Sequence, residues 1–166
     1  MQALHSLEFE ELTEYLPSDF EGLRRDAAAE GKRFLERLYV EWRSGEQRFS
    51  RAHEVLLTVR VNGELAGIGG MTVDPDMPSA MRMRRFFIRP AYRRHGLGRQ
   101  LATAILSRTL PSGTIITVNT DNTEAAAFWE ALGFQYDPKP GSSHWLLWRS
   151  FGDVRSTEEV VGLLRQ

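Results

Sequence analysis

The 166-residue chain contains no cysteine. Disulfides, thiolate-bound metals and a cysteine nucleophile are excluded together. No apolar run is long enough to span a bilayer. The opening Met1-Gln2-Ala3-Leu4-His5 lacks the basic stretch and apolar core of a secretory signal. A cytoplasmic protein that does not enter membranes is the expectation. Acid is missing from the middle of the chain. Between Met77 and Thr120 there is no Asp or Glu, and Arg82, Arg84, Arg85, Arg89, Arg93, Arg94, Arg99 and Arg108 all fall in that window. The formal net charge is only −1, because acids such as Glu8, Glu10, Glu11 and Glu14 crowd the first third. A basic centre in a neutral protein points to a local anion site. The acidic opening argues against a surface that coats nucleic acid. A solvated arginine face is the plainer alternative.

What is present fits one globular domain. The hydrophobic fraction is 42% and the charged fraction 26%, enough for a core and too apolar for disorder. The predicted division is 1–53, an edge strand and helices; 54–150, the core; and 151–166, a C-terminal helix. An edge strand is expected within 7–16. Ser18 and Glu21 have the spacing of a capping box, opening a helix through Ala29 that Gly31 ends. Phe34, Leu35, Leu38 and Trp42 recur at helical spacing until Ser44-Gly45. Strands follow at 55–61 and 64–73, joined by Asn62-Gly63, a pair suited to a type I′ turn. Gly67, Gly69 and Gly70 in the second strand predict a bulge or a close approach. A third strand covers 81–88. Leu97, Leu101, Ala104 and Ile105 then mark a helical face ending near Thr109. A short strand at 114–118 precedes a helix capped by Asp121 or Asn122 and closed by Gly133-Phe134. After a turn at 138–141 comes a last strand at 143–149, with Trp145 and Trp148 as core or interface residues. Ser156 to Glu159 form a second capping box for the C-terminal helix. The fold class is mixed α/β, antiparallel in front and with crossover helices behind.

Chemistry concentrates where the strand at 81–88 feeds Arg89-Pro90-Ala91-Tyr92-Arg93-Arg94-His95-Gly96-Leu97-Gly98-Arg99. A helix N-terminus exposes unpaired N–H groups and a partial positive charge. Glycines at 96 and 98 admit an anion to the backbone, and Arg93, Arg94 and Arg99 add full charge. A dinucleotide fingerprint needs a third glycine where Leu101 stands, and no Gly-Lys-Ser/Thr triplet exists for a P-loop. A diphosphate site remains, beside the alternative of a tight glycine turn with incidental arginines.

Arg93-Arg94-His95-Gly96-Leu97-Gly98 resembles the Arg/Gln-x-x-Gly-x-Gly/Ala signature of the GNAT superfamily of N-acetyltransferases. Asn122-Thr123-Glu124-Ala125 through Trp129 to Gly133-Phe134 resembles that family's second motif, and the order of elements agrees over most of the chain. Arg84 to Pro90 is similar to a group of small bacterial members with mostly unassigned substrates. The resemblance implies a splayed central sheet flanked by helices, opened between the strands ending at Ile88 and Val118. It implies acetyl-CoA as co-substrate, no metal, and direct attack by an amine with no acyl-enzyme. Phe87, Ile88 and Arg89 would pair with the pantetheine arm through their backbone. Residues Arg93, Arg94, His95, Gly96, Leu97, Gly98 and Arg99 would hold the pyrophosphate. Asn122 and Trp129 would also contact the cofactor. The expected partner is a small amine or a peptide, with no nucleic acid, and a homodimer is a further expectation.

The sequence departs from the family in its proton-transfer groups. The usual tyrosine of the second motif is Trp129, whose indole N–H donates a hydrogen bond but is no useful acid. The strand before the first motif carries Arg82, Arg84 and Arg85 instead of a glutamate. His144 is the side-chain candidate for the base, with a hydrogen-bonded strand histidine as the alternative. Tyr136 is the candidate acid. By strand alternation Arg84 or Arg85 faces the cleft, to read a substrate carboxylate or to pair internally with Glu41 or Glu54. Tyr39 and Trp42 are candidate walls of the acceptor site. A module that binds acetyl-CoA without catalysis is the alternative function, and a nucleic-acid-binding domain the third.

Overall fold

The computed structural model describes residues 6–107 and 110–149. The C-terminal helix expected from Ser156 lies outside the described residues. The element order is β1 (Leu7–Glu11), α1 (Phe20–Ala29), α2 (Phe34–Ser44), β2 (Val55–Val61), β3 (Glu64–Val73), β4 (Met81–Ile88), α3 (Leu97–Leu106), β5 (Ile115–Val118), α4 (Thr123–Ala131), β6 (Gln135–Lys139) and β7 (Ser142–Leu147). A 3₁₀ turn at Pro90–Tyr92 precedes α3. The strands form one mixed sheet in the order β1-β2-β3-β4-β5-β7-β6, in which β4 and β5 run parallel. The chain divides into two compact units, residues 1–71 with 84–107, and residues 72–83 with 108–166. Strands β3 and β4 each contribute to both.

In the first unit, Leu23, Ala27, Leu35, Leu38 and Trp42 are the buried faces of α1 and α2, and they cluster with Leu56, Ile68 and Phe87 of the strands. The type I′ turn forms as expected, with positive φ at Asn62 (51°) and Gly63 (85°). The glycines of β3 mark close approaches. A Cβ at Gly67 would meet Ile88 Cδ1 at 2.6 Å and Phe87 O at 3.1 Å, and one at Gly69 would meet Phe86 at 2.7 Å and Ile105 of α3 at 3.0 Å. Sheet and helix therefore pack at a distance that only hydrogen at those positions allows. The register also shifts opposite Val59 and Arg60 of β2, which pair with Gly67 and Leu65 and leave Ala66 of β3 as the extra residue.

The edge strand expected within 7–16 is β1, Leu7–Glu11. Some expectations are corrected. The Ser18 capping box does not form. Helix α1 starts at Phe20 with Asp19 at its N-cap and no side-chain cap bond. The Asp19 carboxylate is taken by Arg60 at 2.8 Å on both oxygens. That bond holds its pKa below the ordinary value, against a smaller opposing effect of burial. A bidentate guanidinium outcompetes a neutral cap bond.

In the second unit, the expected single last strand is a hairpin. Strand β6 escapes a reading of the sequence because Pro138 lies within it. Proline is tolerated at a sheet edge, and β6 is the edge strand, with its register interrupted between Tyr136 and Lys139. Asp74 is buried after β3, with one oxygen accepting from Thr117 Oγ1 (2.7 Å) and the other from Arg82 (3.0 Å). It also accepts from the Asp76 N–H at 2.8 Å. This one carboxylate organises the proline-bearing loop and fastens it to β5.

Candidate active site

The first candidate site lies wholly in the first unit, where β4 ends. Arg89 donates its N–H to Ala66 O of β3 at 2.9 Å. Strand alternation then turns the N–H and C=O of Ile88 to the other edge. The Ile88 carbonyl accepts from Arg93 Nε at 2.8 Å. After the 3₁₀ turn the chain takes left-handed φ at Arg94 (66°) and Gly96 (78°). The first main-chain bond of α3 runs from the Gln100 N–H to Gly96 O at 3.1 Å. The N–H groups of Leu97 and Gly98 precede it and have no intrahelical acceptor. Gly96 caps the helix without a side-chain bond, and a Cβ there would meet nothing within 4 Å. The turn thus leaves open space in front of clustered donors, a concavity that suits an anion. Arg94 and His95 are exposed at its rim, and Arg99 is half-buried. These residues fit a diphosphate.

Arg93 has a different part from the one expected. Its guanidinium holds Glu30 with bonds of 2.6 and 2.7 Å, besides the bond to Ile88 O. Its charge is matched inside the protein by Glu30. Arg89 likewise pairs with Asp26 at 2.7 Å, and Arg85 with Glu41 at 2.8 Å. Three arginines at four-residue spacing therefore fasten β4 and its following loop to α1 and α2. The Arg93 bond holds Glu30 below the ordinary carboxylate range, with burial opposing. Sequence reasoning does not find Asp26 and Glu30. The signal available is their i, i+4 spacing on one helix face.

Of the two alternatives for Arg85, the structure contains the internal pair, with Glu41 as partner and not Glu54. Arg85 also has a left-handed φ of 56° in mid-strand. A kink of this kind shifts the alternation on which the sequence argument relied. Arg84 is half-buried. Tyr39 and Trp42 line a pocket together. Tyr39 sits about 200° round α2 from Glu41, at 3.6 residues per turn. It lines an open pocket of about 500 Å³ with Trp42, Arg24, Arg43 and Arg48. Arg24 stacks 3.7 Å above its ring. Trp42 is otherwise core, its indole N–H donating to Glu14 O at 3.3 Å.

The second unit holds the remaining candidates. Asn122 caps α4, its side-chain oxygen accepting from the Ala125 N–H at 2.7 Å while its amide donates to Asp121. Trp129 is buried, edge-on to Phe128 (4.9 Å between centroids) and Phe134 (5.2 Å). It is a packing residue of this unit. Tyr136 is 67% exposed, its ring 5.3 Å from that of His144. His144 is only 1% exposed and both ring nitrogens are engaged, Nδ1 with Ser143 Oγ and Nε2 with Glu130 Oε2, each at 2.7 Å. That is the hydrogen-bonded strand histidine, and it cannot itself touch a substrate. Among the described residues no group of acidic, histidine or cysteine side chains is arranged to hold a metal, and no helix is long and apolar enough to cross a membrane.

Among curated proteins no match was found. Solved structures do match in fold. A protein from Exiguobacterium sp. 255-15 superposes with a TM-score of 0.72 at 19% identity, covering 86% of this chain and 93% of its own. An acetyltransferase from Thermus thermophilus gives 0.62 at 19%, covering 89% and 100%. The ribosomal-protein-S18-alanine N-acetyltransferase from Escherichia coli gives 0.56 at 17%, covering 84% and 89%. At such identities the likeness is one of fold. The model of the acetyltransferase (GNAT) family matches residues 9–134, a span that includes both motifs and the loop at 93–99. This chain belongs to the GNAT acetyltransferase family.

Proposed function

We propose that the protein is an N-acetyltransferase that moves an acetyl group from acetyl-CoA to the amine of an amino acid, a peptide or another small molecule, in the cytoplasm and without a metal. The observation that carries this reading is the turn before α3. Its left-handed residues turn unspent N–H groups of the helix start toward open space, inside the span that matches the family. Arg94, exposed at the rim, supplies charge there. In this reading the pyrophosphate accepts from the N–H groups of residues 94–99. The pantetheine arm lies along residues 87–89, and the Ile88 N–H polarises the thioester carbonyl.

An amine held beside that carbonyl attacks it directly. The C–S bond breaks, the amine nitrogen gives up a proton, and the sulfur leaves as a thiolate that takes one. Polarisation by a preorganised backbone N–H is worth several kcal/mol in comparable sites, about 3–4 per donor. The second motif of this chain supplies no phenol at Trp129. The pair Arg85–Glu41 beside the kink in β4 favours an acceptor that is recognised without a free arginine at that point. The test is isothermal titration with acetyl-CoA, followed by CoA release across a panel of amines. Tight binding with turnover on one class of amine is the expected result. Binding with no turnover on any amine favours an acetyl-CoA-binding module instead.

A further inference from the structure

We propose that the pocket between α1, α2 and the loop after β1 binds a small aromatic acid, a planar ring that carries a carboxylate. The proposal concerns the first unit alone and does not depend on the acetyltransferase reading. The pocket is open to solvent and holds about 500 Å³, within the range of sites for small organic ligands. Tyr15, Tyr39 and Trp42 give it aromatic walls, and Arg24, Arg43 and Arg48 stand among them.

The three arginines differ in what they have left to offer. Arg24 holds Glu36 with bonds of 2.8 to 3.0 Å and Glu21 with one of 3.0 Å, while its plane lies 3.7 Å over the Tyr39 ring. Phe20 stacks on the same tyrosine at 6.4 Å between centroids. Arg24 is therefore part of the wall. Arg43 and Arg48 have no carboxylate partner among the described residues. Arg48 donates from Nε to Trp42 O at 2.9 Å and from Nη1 to Glu14 O at 3.4 Å. Arg43 donates to the Tyr39 hydroxyl at 2.8 Å. These bonds hold both guanidinium groups in place and leave most of their N–H donors unused. A carbonyl or a hydroxyl matches no charge. Arg48 is half-buried, so it gives up part of its hydration with no counter-charge in return. In the same unit Arg85, Arg89 and Arg93 each meet a carboxylate, at 2.8, 2.7 and 2.6 Å. Of the acids that line the pocket, Glu21 is taken by Arg24, and Glu14 is exposed with its carboxylate on neither guanidinium.

The chemistry of the lining selects the ligand. The planar fork of a guanidinium fits a carboxylate. The Arg43 guanidinium lies 5.4 Å from the Tyr39 centroid and that of Arg48 lies 5.3 Å from the Trp42 centroid, so charge and aromatic surface adjoin at both places. A bare inorganic anion leaves the rings unused, and a neutral ring leaves the two cations unmatched. A ring with a carboxylate satisfies both. Tyr15, 80% exposed, offers such a ring a face to lie on. None of the residues that line the pocket belongs to β4 or to the turn before α3.

The test is isothermal titration of the wild-type protein with three probes: 2-naphthoate, its uncharged match 2-naphthamide, and inorganic phosphate. 2-Naphthoate should bind with a Kd below about 1 mM. The amide and phosphate should each bind at least about tenfold more weakly, since each lacks one of the two matched features. Arg48→Gln and Arg43→Gln should each weaken 2-naphthoate at least about fivefold and leave 2-naphthamide within about twofold. Arg48 also ties two main-chain carbonyls, so Arg43→Gln, at an exposed residue, serves where Arg48→Gln does not fold. Saturating acetyl-CoA should leave 2-naphthoate bound. Absence of 2-naphthoate binding would overturn the proposal. So would equal affinity for acid and amide, phosphate bound as tightly as 2-naphthoate, displacement by acetyl-CoA, or wild-type affinity in folded Arg43→Gln. A protein that binds 2-naphthoate but not acetyl-CoA would keep this site and lose the acetyltransferase reading.

Discussion

The two family motifs lead into helices α3 and α4, and these helices begin in opposite ways. At α4 the Asn122 side chain reaches back to the Ala125 N–H, spending one of the free donors. At α3 the N-cap is Gly96 in a left-handed conformation, with no side-chain bond. The first start is built for its own stability. The second forgoes about 1 kcal/mol of capping, and under the proposed function its donors serve the cofactor's pyrophosphate. What holds it in shape comes from elsewhere: Arg93 is fastened to Glu30 and to the Ile88 carbonyl. A helix start that a protein leaves uncapped while bracing it from outside marks a binding site more firmly than glycine spacing does.

The sharpest break in that comparison is Gly96→Val. A β-branched residue at φ 78° is strained by roughly 1–3 kcal/mol, and its methyls fill the space in front of the donors. Acetyl-CoA affinity should fall at least tenfold, about 1.4 kcal/mol, measured by calorimetry on protein shown to be folded by circular dichroism. Unchanged affinity would remove this turn from the site. A smaller effect is expected from Glu30→Gln, which keeps the shape of the brace and removes its charge. The pair is about one-third exposed on each side, so its stability contribution is on the order of 0.5–1 kcal/mol after solvent screening. Affinity for acetyl-CoA should drop two- to fivefold, although Glu30 is not among the residues assigned to the ligand. An equal affinity with a lower melting temperature would mean that the brace serves the fold alone. Asn122→Ala tests the other helix. It should cost about 1 kcal/mol of stability in a thermal melt and leave pyrophosphate-dependent affinity within twofold. A larger loss of affinity would bring Asn122 into contact with the cofactor arm, as the family likeness implies.

Local signals are legible in this sequence, and long-range pairings are not. Strands β2, β3 and β4, helix α2 and its glycine stop can be read from period and turn chemistry alone. The first motif can be read because glycine and helix start lie within a few residues of each other. That Asp19, the N-cap of α1, spends its carboxylate on Arg60 cannot be read from sequence, because the two are 41 residues apart. Strand β6 is hidden by Pro138, whose tolerance depends on the strand's being at an edge, a property of the whole sheet. Arg93 and Arg94 look alike in the motif. Only the arrival of Glu30 from 63 residues away separates the brace from the cation at the rim. His144 is visible as a lone histidine beside Ser143, but Glu130, 14 residues away on α4, meets its ring only in the folded chain.

The smallest expected effect is also the most specific, and it concerns acid. Glu30 and Asp19 are both held below the ordinary carboxylate range by their arginines. A carboxylate with a depressed folded pKa contributes stability above its unfolded value, near ~4, and loses that contribution as the pH falls through the folded value. Between pH 7 and 5 neither pair should alter the melting temperature. Below about pH 4 the wild-type protein should lose stability as both carboxylates are forced to take protons. Gln at position 30 has no proton to take. The gap in melting temperature between wild type and Glu30→Gln should therefore be constant from pH 7 to 5 and should shrink toward zero as the pH approaches 3. A gap that stays constant to pH 3 would mean that the charge of Glu30 contributes nothing to the brace. The Arg93 bonds would then work as neutral hydrogen bonds, which the amide of Gln can also accept. In that case the contrast between the two helix starts would rest on Gly96 and the Ile88 carbonyl alone.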